Sequence, residues 1–190
     1  MPARTIEELI AYAKRNPGKL TYASIGVGSA YHLDGEIFKK TAGVDLIHVP
    51  YKGTGPVMTA LLGGEVQVAF PSLSNIGQMH DAGKVRILAF LDPTSFAGMS
   101  DIPSINKAVP SFTKATNWIG LFGPAGMPRA TVARLNAAVR SALSSPSVRS
   151  TLEGRGVLIR PSYPEELAQR MRTDLVETGK LIKELGIKPE

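Results

Sequence analysis

The chain predicts an α/β fold with a parallel-rich sheet flanked by helices, and three observations carry that prediction. Short apolar runs alternate with longer stretches whose apolar residues recur every three or four positions. The connections between them are brief and rich in Gly, Pro, Ser and Asn. Strands separated by helices pair in parallel, because each helix returns the chain to the same end of the sheet.

Thr5 and Glu8 frame a capping box ahead of Leu9, Ile10 and Ala13 on one helical face, and Asn16-Pro17-Gly18 ends that helix. Leu20 to Ser24 reads as a strand and Gly26-Val27-Gly28 as a turn. Ala30, Leu33 and Ile37 form the buried stripe of a helix capped by Ser29 and closed by Gly43. Val44 to Val49 is a second strand, and Pro50 to Gly55 a loop. Pro56 suits the first turn of a helix whose Val57, Ala60 and Leu61 face inward and which Gly63-Gly64 ends. Val66 to Phe70 is a third strand, Ser72 caps a helix running to Gly83, and Val85 to Leu91 is a fourth strand. Asp92 to Pro110, with Pro93, Gly98 and Pro103, reads as an irregular connector. Trp118 to Phe122 reads as a further strand and Gly123 to Gly126 as a loop. Pro128 opens an amphipathic helix through Val132, Leu135, Val139 and Leu143. Pro146 starts a short helix, Val157 to Ile159 a short strand, and Pro164 the terminal helix, with Leu167, Met171, Leu175, Leu181, Ile182 and Leu185 toward the interior.

At 190 residues, 43% hydrophobic and 20% charged, the composition is globular and excludes a collagen-like or disordered chain. Charge, Gly or Pro interrupts every apolar run well before the length of a spanning helix. The N-terminus has no apolar h-region, so no secretion signal is expected in the chain as written. With no cysteine, disulfides, thiolate catalysis and thiolate zinc sites are excluded, and both cytosol and periplasm stay open. The net charge of +6 concentrates in residues 129–160, where six Arg face Glu153 alone. Arg134, Arg140, Arg149 and Arg155 are spaced along helical polar positions, and no aromatic platform or groove-reading motif joins them, which fits a solvated face and no nucleic-acid partner.

Ligands of parallel sheets gather at the carboxyl ends of the strands, where loops lead into helix N-termini. Three such loops, Ser24 to Ala30, Tyr51 to Pro56 and Pro71 to Asn75, are rich in Gly, Ser and Thr. Each helix start offers unpaired N–H donors and a partial positive charge, which suits a carboxylate or a phosphate. Ser29 can cap its helix, meet a ligand, or do both. His32 and Glu36 stand at metal-ligand spacing, but no third ligand matches, so His32 reads as structural or ligand-contacting and no metal is expected. His48 and His80 read as surface histidines near element ends. Tyr51, Lys52 and Asn75 are loop polar groups able to orient a ligand. The dinucleotide fingerprint, the phosphate loop, the nucleophile elbow and the His-Glu-x-x-His motif are all missing. A Ser29/His32 dyad would have no orienting carboxylate. Neither a catalytic residue nor a cofactor is expected, and a phosphate- or nucleotide-using α/β enzyme is the competing alternative.

Seven segments, in register along nearly the whole chain, resemble the substrate-binding proteins of tripartite tricarboxylate transporters, the Bug-type receptors. They are Pro17 to Ser24, Gly26-Val27-Gly28-Ser29 with His32-Leu33, His48 to Gly53, Leu61 to Gln67, Ala82 to Arg86, Asp101 to Ser104, and Gly123 to Pro128. The resemblance implies a periplasmic-binding-protein-like (type II) fold, periplasmic location, capture of a small organic acid and delivery to membrane permease subunits. It implies solute contacts at Ser24, Gly28, Ser29, Ala30 and His32, at Tyr51, Lys52, Gly53 and Thr54, and at Asn75. Where many relatives carry an acidic residue after the third strand, this chain has Pro71-Ser72.

Relatives in the family are longer at the N-terminus, so residues 5–116 are expected to form a complete second lobe. Residues 117–190 would then be the returning part of an incomplete, mostly helical first lobe. A non-functional fragment of a truncated receptor gene is a further alternative. Organic-acid affinity is expected to be weak or undetectable, because closure of two lobes normally buries the ligand. The apolar stripes of 128–190 predict a homodimer or higher oligomer.

Overall fold

The structure is a computed structural model that describes residues 3–92 and 99–188. Pro93 and Gly98 of the expected connector lie outside the described residues. The chain divides into two compact units, Met1–Ala115 with Ile182–Glu190, and Thr116–Leu181.

The first unit opens with α1 (Ile6–Arg15). Thr5 Oγ1 accepts the N–H of Glu8 at 3.2 Å, as the capping box requires. The Glu8 carboxylate reaches one residue further back, taking the N–H of Arg4 at 2.6 Å. Then follow β1 (Leu20–Ser24), α2 (Ala30–Ala42), β2 (Leu46–Pro50), α3 (Thr54–Gly63), β3 (Val68–Ala69), α4 (Leu73–Asp81) and a 3-10 turn at Ile105–Lys107. The three strands form a parallel sheet in the order β2-β1-β3.

β1 is central, and its two faces are packed by different helices. Ala23 joins Val57, Met58 and Ala60 of α3, Val66 and Ile76 in one apolar cluster. Tyr22 and Ser24, on the opposite face by the period of two along a strand, lie under α2. A Cβ at Gly35 would fall 2.2 Å from Tyr22 Cε2, so only glycine lets α2 settle this close to the sheet. Phe38, one turn further along α2, is fully buried.

Two strand expectations shrink or fail here for visible reasons. β3 keeps two residues instead of the five from Val66 to Phe70, because the Gln67 side chain replaces a backbone rung. Its Oε1 accepts the N–H of Thr21 at 3.0 Å, while its own N–H donates to Thr21 O at 3.3 Å. Val85 to Leu91 forms no strand. The N–H groups of Lys84 and Val85 turn back to Met79 O at 2.9 and 3.4 Å, and that of Ile87 turns to His80 Nδ1 at 3.4 Å, so they are withdrawn from a ladder. Only Phe90 pairs, in an isolated parallel bridge with Ser104.

The second unit contains α5 (Arg129–Ser144), α6 (Pro146–Glu153) and most of α7 (Pro164–Glu184). Pro128 and Pro146 stand at the starts of their helices, as expected. The apolar stripes do not reach an interior, however. Neither α5 nor α6 buries a residue, and in α7 the buried residue is Asp174. Trp118 to Phe122 and Val157 to Ile159 are not strands, since among the described residues no neighbouring strand offers them a ladder. Trp118 Nε1–H donates to Asp174 Oδ2 at 2.6 Å, the same carboxylate that accepts Arg170 Nε–H at 2.9 Å.

Candidate functional site

The sheet order places a reversal of direction at β1. From β1 the chain crosses through α2 to β2 on one side, then through α3 to β3 on the other. The carboxyl ends of β1 and β3 therefore flank a topological switch point, the usual seat of a ligand in such sheets. The three Gly/Ser/Thr-rich loops all end at this edge and are joined there. Tyr51 N–H donates to Ser24 O at 2.9 Å, tying the second loop to the first. Tyr31 Oη, in the first turn of α2, accepts Ser72 N–H at 3.3 Å and Asn75 Nδ2 at 2.9 Å, tying the third loop to the same helix.

In the first loop, Gly28 has φ 76° with open space where a Cβ would stand. Glycine is required there by backbone conformation and not by crowding. Ser29 caps α2, accepting the N–H of His32 at 3.4 Å and donating its hydroxyl to Gly26 O at 2.6 Å. Two amides expected to face a solute are used inside the loop: Gly28 N–H donates to His32 Nδ1 at 3.0 Å and Ser29 N–H to Gly26 O at 3.2 Å. The first-turn amides of Ala30 and Tyr31 have no helical acceptor. The α3 start is barer. Its N-cap is Gly53, with no side-chain cap. Thr54 and Gly55 therefore offer first-turn N–H groups that no cap covers, while Pro56 has none to offer. Lys52 beside them is exposed, and Tyr51, Gly53 and Thr54 are half-exposed. At α4, Ser72 Oγ bonds to Ser74 Oγ and Asn75 Nδ2 and does not cap the helix, contrary to expectation.

Below the loops lies a polar cluster that sequence reasoning divided wrongly. His48 is not a surface histidine: its ring stacks on His32 at 3.9 Å with planes 6° apart and on Tyr22 at 5.0 Å. His48 Nε2 shares a 2.6 Å hydrogen bond with Ser24 Oγ. Ser24 is fully buried, and its Oγ also accepts Gly26 N–H at 3.2 Å, so it supports the loop from beneath instead of facing solvent. Tyr22 Oη donates to Glu36 Oε1 at 2.7 Å, and Lys39 Nζ reaches the same oxygen at 2.8 Å. The signal for His48 was present in the strand alternation, since Leu46 and His48 share a face and the parallel register sets His48 opposite Tyr22.

Burial disfavours the imidazolium in both rings. His32 is held below the ordinary histidine value by burial, with Glu36 opposing and Lys39 adding a smaller push. His48 is pushed down to about 4 by burial first and by His32 second. Burial, then the bond to Glu36, raises Tyr22 above the usual phenol range. On the far side of α2, Asp34 is buried and accepts Ala115 N–H at 2.7 Å. Burial lifts its carboxyl to about 7, against that hydrogen bond and Lys114.

Chemically, this edge offers backbone N–H donors and helix starts of the kind that suit an anion. Ser29 and His32 form no nucleophile–base pair, since the His32 ring is engaged by Gly28 and Ser29 Oγ by Gly26 O. Ser24 and His48 have the distance for one, yet Ser24 Oγ is sealed from any substrate. Among the described residues, no group of three His, Cys, Asp or Glu could hold a metal.

The sequence profile of the tripartite tricarboxylate transporter family receptors matches residues 1–187. A UPF0065 protein encoded in the tcbD-tcbE intergenic region of Pseudomonas sp. strain P51 is 35% identical over 183 residues, covering 95% of this chain and 54% of the relative. Among solved structures, an R. palustris protein with adipate superimposes with a TM-score of 0.94 at 30% identity, covering 100% of this chain and 64% of that one. The periplasmic binding protein BugD gives a TM-score of 0.90 at 29% identity, again covering 100% and 64%. This chain thus spans about half the length of the curated relative. Profile, relative and folds agree: the chain belongs to the family of tripartite tricarboxylate transporter receptors, the Bug-type solute-binding proteins.

Proposed function

We propose that this chain supplies carboxylate-contacting loops to a periplasmic solute receptor serving a tripartite tricarboxylate transporter, and that it has no catalytic activity of its own. One observation carries the proposal. The three helices that start at the strand carboxyl ends, α2, α3 and α4, have no acidic residue in their first turns, whereas α1 opens on Glu7 and Glu8. Their partial positive ends are left uncompensated at one edge, which favours an anionic solute. The adipate in the R. palustris relative makes a dicarboxylate the first solute class to try. Contacts fall to the amides of Ala30, Thr54 and Gly55, with Ser29, Tyr51, Lys52, Gly53 and Asn75 around them. Ser24, Gly28 and His32 hold the loop from within. Residues 5–116 form the lobe that bears these loops, and 117–190 belong to the other lobe. A phosphate-using enzyme would place its anion on the same helix starts but finds no accessible acid–base pair beside them. Adipate titrated into labelled protein should shift the backbone amide resonances of 29–32 and 53–55 above all others. Shifts confined to other regions, or their absence at millimolar adipate, would overturn the proposal.

We also propose self-association through the second unit, where Ile119 (92% exposed), Leu121, Phe122 and Leu175 (77% exposed) face solvent. Apolar surface on this scale favours burial against a second copy. Sedimentation should show a dimer or larger species at high micromolar concentration, and a clean monomer there would refute it.

A further inference from the structure

The stacked imidazoles under the first loop do more than fill space. Gly28 N–H donates to His32 Nδ1 at 3.0 Å, so His32 is neutral, with its ring proton on Nε2. A second proton has only Nδ1 to enter, where it would meet the Gly28 N–H head-on. The bond would become a donor–donor clash, and Gly28, at φ 76° with open space where a Cβ would stand, is the point at which the loop can yield. His48 responds differently. Protonated at Nε2 it donates to Ser24 Oγ, whose hydroxyl can then turn to Gly26 O at 3.1 Å.

We propose that the His32–His48 stack is a proton-sensitive positioning unit for the solute loop: acid breaks the Gly28–His32 bond, displaces residues 26–30 and lowers carboxylate affinity. The proposal rests on the receptor function above and adds its regulation. The groups facing the pair are few. Tyr22 and Ser24 come from β1, and Glu36 and Lys39 from α2. Glu36 and Lys39 pair with each other at 2.8 Å, so their opposite effects on the stack offset in part, with Glu36 the larger. Ring contact at 3.9 Å makes two adjacent imidazolium ions unfavourable, so the stack admits a single proton at first. His32 is a positioning residue here: it acts on the solute through Gly28.

The test follows Gly28, His32 and His48 by NMR while the pH of the free protein is lowered from about 8 to about 5, and repeats the adipate titration at each end of the range. The Gly28 amide should move with the same midpoint as the His32 ring. Adipate affinity should fall by up to about tenfold per pH unit below that midpoint. Adipate itself titrates in this range, so the slope is read against His32→Asn, whose amide oxygen can accept Gly28 N–H but cannot protonate. The variant should retain only the slope belonging to adipate. Equal slopes in both proteins, or a Gly28 amide indifferent to His32, would overturn the coupling while leaving the receptor function standing. No adipate-induced shift even at about pH 8 would overturn both.

Discussion

The two units of this chain obey the same local rules and reach different ends. In the first, the Thr5 cap, the Ser29 cap and the apolar stripes of α1 and α2 all lead to burial: Leu9, Ala13, Leu33, Ile37 and Phe38 are inside. In the second, Pro128 and Pro146 start helices just as effectively, and the stripe of α5 is as regular, yet α5 and α6 bury nothing. Helix formation is settled within a turn or two of sequence, by caps and spacing. Burial is settled by what lies opposite, and only the first unit has a sheet, with β1 covered on both faces. The largest free-energy consequences of substitution should therefore fall in the first unit, and the second should tolerate them.

Phe38→Ala tests that contrast at its strongest. The side chain is fully buried between α2 and the sheet and contacts Phe70 at a ring separation of 5.7 Å. Truncation removes an aromatic and leaves a cavity, which costs about 3–5 kcal/mol. Urea denaturation followed by circular dichroism reads it; a loss below about 1 kcal/mol would show that this core is far looser than its burial implies.

Asp34→Asn is next in size, and its effect changes with pH. In the folded chain Asp34 keeps its proton up to about 7, against an ordinary 3.8. Between those values the folded state holds more protons than the unfolded, and its contribution to stability is lost as pH rises. His48, held at about 4 against 6.5, does the reverse: its contribution is present above 6.5 and lost as pH falls toward 4. The two slopes oppose each other over most of this range, and His32, also held low, adds to that of His48. The carboxamide introduced by Asp34→Asn accepts the Ala115 N–H without titrating, so the variant should show stability rising from about pH 4 to 6.5, and should exceed the parent by about 1–3 kcal/mol above about pH 7. Parallel pH profiles for parent and variant would contradict the assignment.

The same distinction explains what was legible in the sequence. The helices could be placed nearly to the residue, because Thr5, Ser29, Gly43 and the proline starts act locally. The loops at the strand ends were legible as an edge, since Gly, Ser and Thr cluster before each helix. Three things were not. The strands at Val85, Trp118 and Val157 fail because a ladder depends on a neighbour that short apolar runs do not specify. The shortening of β3 turns on one Gln67 side chain competing with a backbone rung. The roles of Ser24, Gly28 and His48 depend on a register, Tyr22 opposite His48, that places residues far apart in sequence ring against ring. Pattern alone placed these residues near one edge but could not say which stay accessible and which hold the others in place.

Leu175→Gln carries the smallest expected effect and sharpens the comparison most. Leu175 continues the stripe of Leu167 and Met171, a position that spacing alone assigns to an interior, yet it is 77% exposed. If exposure decides, the substitution changes unfolding free energy in dilute solution by no more than about 0.5 kcal/mol, an order of magnitude less than Phe38→Ala. At high micromolar concentration the same variant should lower the sedimentation coefficient, because a polar amide would then sit where a second copy needs an apolar contact. A large loss of stability in dilute solution would mean that Leu175 is buried after all, and that the second unit has a core of its own. A null result in both measurements would leave its apolar stripe without a partner and remove the physical ground for self-association.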